Sequence, residues 1–233
     1  MVNLNSGRLN SYINDFTISR FLESHVNLLN GDILDIGCGK MKFKKVIESS
    51  NGNNRYIGLD LVEGQFSYAV KADLYWDGIK MPIDDNKIDG AILFEVIEHC
   101  PNPSIVISEA FRVLKPGGVL LFSTPFVYQF HGVPYDFFRL TPQGLKNIFQ
   151  QAGFVDFEIE YGGLWDASLA QMLGIWVNKR PMPVIVRKIL KKILVIVFRF
   201  LLIMDNKELL KTKGEFLEGL MVTNILGAVR KKS

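Results

Sequence analysis

Asp32-Ile33-Leu34-Asp35-Ile36-Gly37-Cys38-Gly39 is the stretch on which the reading of the fold turns. A short apolar run closed by Gly-x-Gly reads as a buried strand entering a loop that needs glycine's backbone freedom. Asp35 stands two positions before Gly37. That order puts a carboxylate and two positions without side chains at the carboxyl end of a strand, where ligands of open α/β sheets bind. A carboxylate there repels a pyrophosphate and suits a ligand bearing a cation or hydroxyl groups.

Working outward, Tyr12 to Leu29 is predicted as a helix, with Ile13, Phe16, Ile18, Phe21, Leu22, Val26 and Leu29 near helical spacing and Asn30-Gly31 as its stop. Further strands are expected at Arg55–Leu59, Ala69–Leu74, Gly90–Phe94, Val119–Ser123, Phe154–Tyr161 and Met221–Val229. Helices are expected around Phe43–Glu48, at Ser104–Leu114 and at Pro142–Ala152. Lys115-Pro116-Gly117-Gly118 reads as a helix stop and a tight turn. Strands alternating with helices predict an α/β fold with a mostly parallel sheet and right-handed crossovers. Residues 1–161 and 221–233 form the expected core. Residues 162–220 are too long a gap for a hairpin and read as a basic, apolar, helical insertion before the last strand.

The chain has 233 residues, 48% of them apolar, enough to bury one α/β domain with an appendage and too apolar for a disordered polymer. Its two cysteines, Cys38 and Cys100, have neither a paired nor a metal-ligand spacing, so a disulfide scaffold and a zinc centre are not expected and no metal is assigned. Residues 1–14 lack a basic-then-apolar leader pattern, and a cytoplasmic location is expected. The net charge of +3 is uneven: from Asn178 to Glu215 ten Lys/Arg stand against three Asp/Glu.

Within that region Val184–Met204 is densely apolar but interrupted by five basic residues. Its longest uncharged run, Ile193–Phe198, is far short of the roughly 20 residues needed to span a bilayer. Lys188, Lys192 and Arg199 fall on one helical stripe with Arg187 and Lys191 at its flanks, and the other faces are almost wholly apolar. This is the pattern of a helix lying in an anionic membrane surface, which makes the inner membrane face an expected peripheral location. The alternative is a helix packed on the sheet or at a dimer interface with its lysines solvated. The sequence sets no oligomeric state.

Asp35, Asp60, Asp73 and Glu95 all fall at or just after strand ends, and the ends of a parallel sheet line one edge. Asp60 follows Gly37 by 23 residues, about the spacing at which an acid grips ribose hydroxyls. Three further segments complete a pattern: Met81-Pro82-Ile83 running into Asp84–Asp89, Glu95-Val96-Ile97-Glu98-His99, and Glu109–Gly118 (EAFRVLKPGG) leading into Leu120–Pro125. Over roughly residues 30–160 the chain resembles the class I S-adenosylmethionine-dependent methyltransferases of the type 11 group, whose members share a DIGCG turn. The resemblance implies a Rossmann-like seven-stranded sheet in the order 3-2-1-4-5-7-6 with helices on both faces, and S-adenosylmethionine as cofactor.

By position, the resemblance places Asp35, Gly37 and Gly39 around the methionine part of the cofactor, Asp60 on the ribose hydroxyls and Leu61 against the adenine. It places Asp73 at the adenine amino group, Leu74 beside the ring, and Glu95 and Val96 on the sulfonium side. Met41 departs from the pattern, since many relatives carry a third glycine there. On the acceptor side, His99 and His131 follow strand ends and are candidate bases. His131 opens the stretch His131–Pro142, which is similar to a P-x-D-x-x-R-x-T loop of methyltransferases from cell-surface glycan and glycolipid pathways. Tyr135, Asp136 and Arg139 are its candidate acceptor contacts, with an Asp136–Arg139 ion pair that fixes the loop as the plainer reading.

The expected function is methyl transfer to an oxygen or nitrogen of a small-molecule, glycan or glycolipid acceptor. A cofactor-binding but inactive partner protein is the alternative from another class. A dehydrogenase is disfavoured by the missing third glycine and the LKPGG segment. A nucleic-acid methyltransferase is disfavoured because the basic segment is rich in Ile, Leu, Val and Phe, and Phe94-Glu95-Val96-Ile97 is no base-flipping signature.

Overall fold

The computed structural model describes residues 4, 5, 7–62, 70–209 and 219–233, with the side chains of 206–209 excepted. Helix α1 (Tyr12–His25) and a 3-10 turn lead into β1 (Asp32–Ile36), α2 (Lys44–Ser50), β2 (Arg55–Leu61), β3 (Leu74–Trp76) and β4 (Ile88–Phe94). Then come α3 (Pro103–Val113), β5 (Leu114–Pro125), α4 (Pro142–Gln151), β6 (Phe154–Tyr161), α5 (Trp165–Lys179), α6 (Val184–Leu209) and β7 (Asn224–Lys231).

The strands form one sheet in the order β3-β2-β1-β4-β5-β7-β6, the order that the resemblance implied. Neighbours from β3 to β5 pair in parallel. Ile33, Leu34 and Ile36 of β1 and Ala91, Ile92 and Leu93 of β4 are buried, as expected for central parallel strands covered on both faces. Asn102 starts α3 by accepting the Ser104 N–H, and Thr141 starts α4 by accepting the Gly144 N–H.

Two sequence expectations change. The third strand does not run over Ala69–Leu74; Ala69 lies outside the described residues, and the strand is Leu74–Trp76, so Asp73 precedes it. The Asp73 carboxylate accepts the Gly58 N–H at 2.7 Å while its own N–H bonds the Gly58 carbonyl at 2.9 Å. A side chain there takes the place of a ladder carbonyl, and the aromatic pair Tyr75-Trp76 supplies the pairing instead.

Lys115–Gly118 is also not a free turn. It lies inside β5, where the register steps from Ile88↔Leu114 to Gly90↔Val119, so the extra residues form a bulge. Gly117 has φ +79°, and a Cβ on Gly118 would stand 2.9 Å from the Lys115 carbonyl.

The chain divides into two compact units. One comprises residues 21–124, 130–158 and 227–233 and holds most of the sheet. Its aromatic core includes Phe122 and Phe149, with ring centroids 4.6 Å apart.

The other unit comprises residues 1–20, 125–129 and 159–226. Leu9, Ile13, Ala167, Ala170, Val177, Leu194, Phe198 and Leu201 form its core. Gly174 lets α5 approach closely, since a Cβ there would lie 2.3 Å from the Leu9 carbonyl. Leu164 offers no capping side chain to α5, and buried Asp205 of α6 supplies one by accepting the Leu164 and Ala167 N–H groups at 3.0 and 2.9 Å. Helix α6 therefore has three stripes. Leu194, Phe198 and Leu201 are buried; Ile185, Ile189, Ile193, Ile196, Phe200 and Ile203 are exposed; and Lys188, Lys192 and Arg199 border the exposed stripe.

Candidate active site

The glycine turn after β1 is built by close approach. Gly37 and Cys38 both donate to the Leu59 carbonyl, at 2.8 and 3.1 Å. Gly37 has φ +73°, and a Cβ on it would lie 2.5 Å from a methyl of Val96. Only glycine meets both conditions. Met41, at the place of the third glycine, also has positive φ (+52°). Its methyl group and the Cys38 sulfur fill the notch that Gly58 leaves open, since a Cβ on Gly58 would meet them at 2.8 and 3.0 Å. The departure at Met41 is thus absorbed by a glycine on the neighbouring strand.

Around this turn the structure gathers carboxylates at the sheet edge. Asp35 pairs in register with Gly58 and Ile92, is buried, and accepts a hydrogen bond from the Tyr56 hydroxyl. Burial pushes its pKa up to about 7; Tyr56 and Lys42 oppose the rise, and Asp60 adds to it. Asp60 accepts the Gly39 N–H at 3.1 Å and the Leu61 N–H at 2.9 Å, so its carboxylate is fixed by two backbone groups. Leu74 lies beside Leu59 in the ladder, which brings Asp73 and Leu74 to the same edge.

Glu95, at φ +57°, accepts the Ser123 hydroxyl at 2.8 Å. Val96 packs on Gly37. Burial, then the nearby Asp35, Asp60 and Asp73, push the Cys38 thiol up to about 12, so it is an inert core residue.

A second cluster lies beyond β4. The His99 and His131 rings meet edge to face with centroids 4.7 Å apart. The His99 Nδ1 hydrogen-bonds the Tyr135 carbonyl. Asp136 is held by Arg139 through two bonds of 2.7 and 2.9 Å, and accepts the His131 N–H at 3.0 Å. Burial pulls the Asp136 pKa upward, but Arg139 and His131 outweigh it and hold the carboxyl below its ordinary value. The ion pair expected to fix this loop is therefore present, and the Tyr135 ring remains exposed.

The sequence reading missed Glu98. The 3-10 turn Ile97–His99 turns its side chain fully inward, and both carboxylate oxygens are buried without a hydrogen-bond partner. Burial first, then neighbouring Glu95, raises its pKa well above the usual carboxylate range. The only signal in the chain was an acid next to a histidine in an otherwise apolar turn.

Residues 34–122, which carry the glycine turn, Asp60, Asp73, Glu95 and the bulge of β5, match the family model described as a methyltransferase domain. Over this stretch the chain is similar to the class I S-adenosylmethionine-dependent methyltransferases. The chain is 31% identical over 152 residues to a Mycolicibacterium smegmatis protein named "Probable S-adenosylmethionine-dependent methyltransferase", covering 60% of this chain and 58% of that protein. It is 27% identical over 140 residues to the ubiquinone biosynthesis O-methyltransferase of Pseudomonas fluorescens, covering 53% of this chain and 59% of that one. The chain thus spans less than two thirds of the length of these curated relatives.

The fold is shared with the crystal structure of a SAM-dependent methyltransferase from Archaeoglobus fulgidus, at a TM-score of 0.55 and 17% identity over 93% of this chain and 94% of that chain. The residues present fit the family's cofactor. Its sulfonium and ammonium are cations and its ribose is a diol, and the turn offers carboxylates with a backbone that leaves no room for a Cβ at Gly37.

Proposed function

We propose that the chain transfers a methyl group from S-adenosylmethionine to an oxygen or nitrogen of a small amphiphilic acceptor, a glycolipid, glycan or other small molecule. The observation that carries this reading is the joined set Asp35, Gly37, Gly39 and Asp60, in which Asp60 is fixed by the Gly39 and Leu61 N–H groups before any ligand arrives. Preset acceptors of this kind need no reorganisation when they take hydroxyl donors. The bound cofactor supplies an electrophilic methyl group on a good leaving group. The chain's own task is to orient the acceptor, exclude water and, where the acceptor must lose a proton, to take it. His131 and His99 are the imidazoles assigned to the acceptor side; Asp136 and Arg139 hold the loop that carries His131, and the 3-10 turn Ile97–His99 carries the other.

The same loop supports an acceptor with an apolar part. It exposes Phe130 (86%), Val133, Tyr135 and Phe137. A relative named for ubiquinone biosynthesis points the same way.

Titration calorimetry with S-adenosylmethionine tests the cofactor side. Asp60→Ala is expected to weaken binding about 30–100-fold, as for loss of hydrogen bonds to a charged group. Asp60→Asn, which keeps the side chain's size and one acceptor oxygen, is expected to lose less. Binding by Asp60→Ala equal to wild type sinks the site. Methyl transfer from labelled cofactor to a membrane extract then separates turnover from the inactive-partner alternative.

The acceptor's source is proposed to be an anionic membrane surface reached through α6. Among the described residues no helix is long and apolar enough to cross a membrane. The exposed stripe, with Ile196 at 72% and Phe200 at 62%, beside Lys188, Lys192 and Arg199, fits a helix that lies in one. The chain is expected to sediment with vesicles containing phosphatidylglycerol. The double change Ile196→Glu and Phe200→Glu is expected to weaken this about 100-fold, from roughly 3 kcal/mol of lost apolar burial. Equal sedimentation of the variant, or none of the wild type, contradicts the membrane reading.

A further inference from the structure

The buried Glu98 carboxylate is aimed between two imidazoles. Its Oε1 lies 3.8 Å from the Nε2 of His99 and 3.8 Å from the Nε2 of His131. Both distances exceed a hydrogen bond, and neither Glu98 oxygen has a hydrogen-bond partner although the residue is 0% exposed. One donor atom from each of the three side chains lies within 4.8 Å of the others.

A buried carboxylate facing two ring nitrogens without hydrogen bonds asks for a cation between them. The tautomer of His99 strengthens the point. A carbonyl only accepts, so the bond to the Tyr135 carbonyl puts a proton on Nδ1 and turns the other ring nitrogen, Nε2, toward Glu98.

The spacing fits an ion. Donors at about 2.1 Å from a tetrahedral metal lie about 3.4 Å apart. The two 3.8 Å separations reach that with a small inward movement of each side chain, and the remaining pair, which lies within 4.8 Å, closes by up to about 1.4 Å. The outer contact of His99 is one that orients a metal-bound histidine, since its far nitrogen bonds a backbone carbonyl. The His131 Nδ1 accepts from Arg139 Nη2 at 3.4 Å and lies 3.5 Å from the Asp136 carboxylate, so binding an ion through Nε2 requires this nitrogen to exchange Arg139 for Asp136.

We propose that Glu98, His99 and His131 bind one divalent transition-metal ion of the zinc or cobalt type, with coordination positions left open for an oxygen of the acceptor. Two nitrogens and one carboxylate oxygen select such ions over magnesium or calcium. The ion gives the acceptor side of the proposed methyl transfer a definite role. It would hold an acceptor hydroxyl and lower its pKa so that the proton passes to solvent water, and the two imidazoles serve as ligands instead of bases. Metal binding itself stands on the geometry and does not rest on that reading.

The test uses the full chain stripped with a chelator and titrated with Co²⁺, read by the visible absorption of the bound ion, with Zn²⁺ as competitor. One ion per chain is expected. His99→Ala and His131→Ala are each expected to weaken binding at least about 100-fold, and Asp136→Asn about 10–100-fold through the lost support of His131. Glu98→Gln, nearly isosteric, is expected to weaken it with an unchanged circular dichroism spectrum and melting temperature, which separates lost ligation from lost folding.

Asp60→Ala is expected to keep full cobalt uptake. Wild-type chain that takes up no cobalt or zinc overturns the proposal, because a shared proton then fills the gap. Unchanged cobalt affinity in both histidine variants also overturns it. Cobalt uptake without S-adenosylmethionine binding sinks only the methyl-transfer reading, and the reverse sinks only the metal site.

Discussion

Replacing Asp35 by Asn is expected to abolish a pH dependence that is expected of the wild-type chain twice, once in stability and once in cofactor affinity. The Asp35 carboxyl is buried, and burial raises its pKa from 3.8 to about 7. Its folded-state value thus lies above its unfolded value. Between about pH 4 and 7 the folded chain holds a proton that the unfolded chain has lost, so this group's contribution is complete below pH 4 and disappears as pH rises through 7. Three pH units correspond to roughly 4 kcal/mol at most, an order-of-magnitude ceiling. The cofactor-free Asp35→Asn variant is therefore expected to match wild type near pH 4.5 and to be more stable at pH 8.

A cationic ligand reverses the balance, because the ionised carboxylate is the form that attracts it. With the methionine end of S-adenosylmethionine at this turn, wild-type affinity is expected to fall about tenfold per pH unit below 7 and to level off above. The variant's affinity is expected to be flat and, at pH 8, roughly 30–150-fold weaker than wild type. Thermal unfolding at pH 5 and 8, with calorimetry across the same range, reads both effects. Wild-type affinity that does not change between pH 5.5 and 8 contradicts this role for Asp35.

The part of this site that the sequence discloses is the part built from local rules. An apolar run that ends in Gly-x-Gly needs no partner to be read as a strand and turn, and Asp60, within the last two residues of β2, and Glu95, just after β4, are legible at strand ends for the same reason. The sheet order came from the family resemblance that the four segments carry jointly. Features that depend on a neighbour were not legible. The bulge at Lys115–Gly118 exists because Ile88 and Gly90 hold β5 in two registers. Asp73 precedes its strand because Gly58 offers both an N–H and a carbonyl to it.

Glu98 was not singled out within Glu95–His99, since nothing in its own segment reports that the Phe137 N–H closes on its carbonyl and the His131 loop lies over its side chain. In α6, periodicity reveals the basic stripe. Which apolar stripe is covered is decided by α5 and by Asp205, whose carboxylate caps the other helix.

Lys231→Met is expected to destabilise the sheet-bearing unit by about 3 kcal/mol while leaving cofactor affinity under native conditions unchanged. Lys231 is buried near the end of β7, and its ammonium donates to the carbonyls of Phe111 and Leu114 at 2.7 and 2.8 Å and to the Asn86 side chain at 2.8 Å. A longer contact of 3.3 Å reaches the Arg112 carbonyl, and the charge stands 4.6 Å from the centre of the Phe111 ring.

The carbonyls belong to the last turn of α3 and the first residue of β5, where the helix runs straight into the bulged strand and has no glycine cap of its own. The cation thus does the work of a C-cap at the negative end of the helix dipole. Methionine fills the space but leaves buried carbonyls without donors, at about 1–3 kcal/mol for each group that water cannot reach. With a urea m-value of roughly 2 kcal/mol per molar, the midpoint should fall by about 1–1.5 M. Lys232→Met, one residue on and exposed, is the control and should shift the midpoint little.

Equal midpoints for the two variants contradict the capping role. Cofactor affinity should be spared because Lys231 serves the Ile88–Leu114 end of β4 and β5, whereas Asp35, Asp60 and Glu95 lie at or beside the carboxyl ends of β1, β2 and β4. The two edges of one sheet thus divide the labour: one holds the chain together through a buried cation, and the other keeps its carboxylates poised for a ligand that brings the positive charge with it.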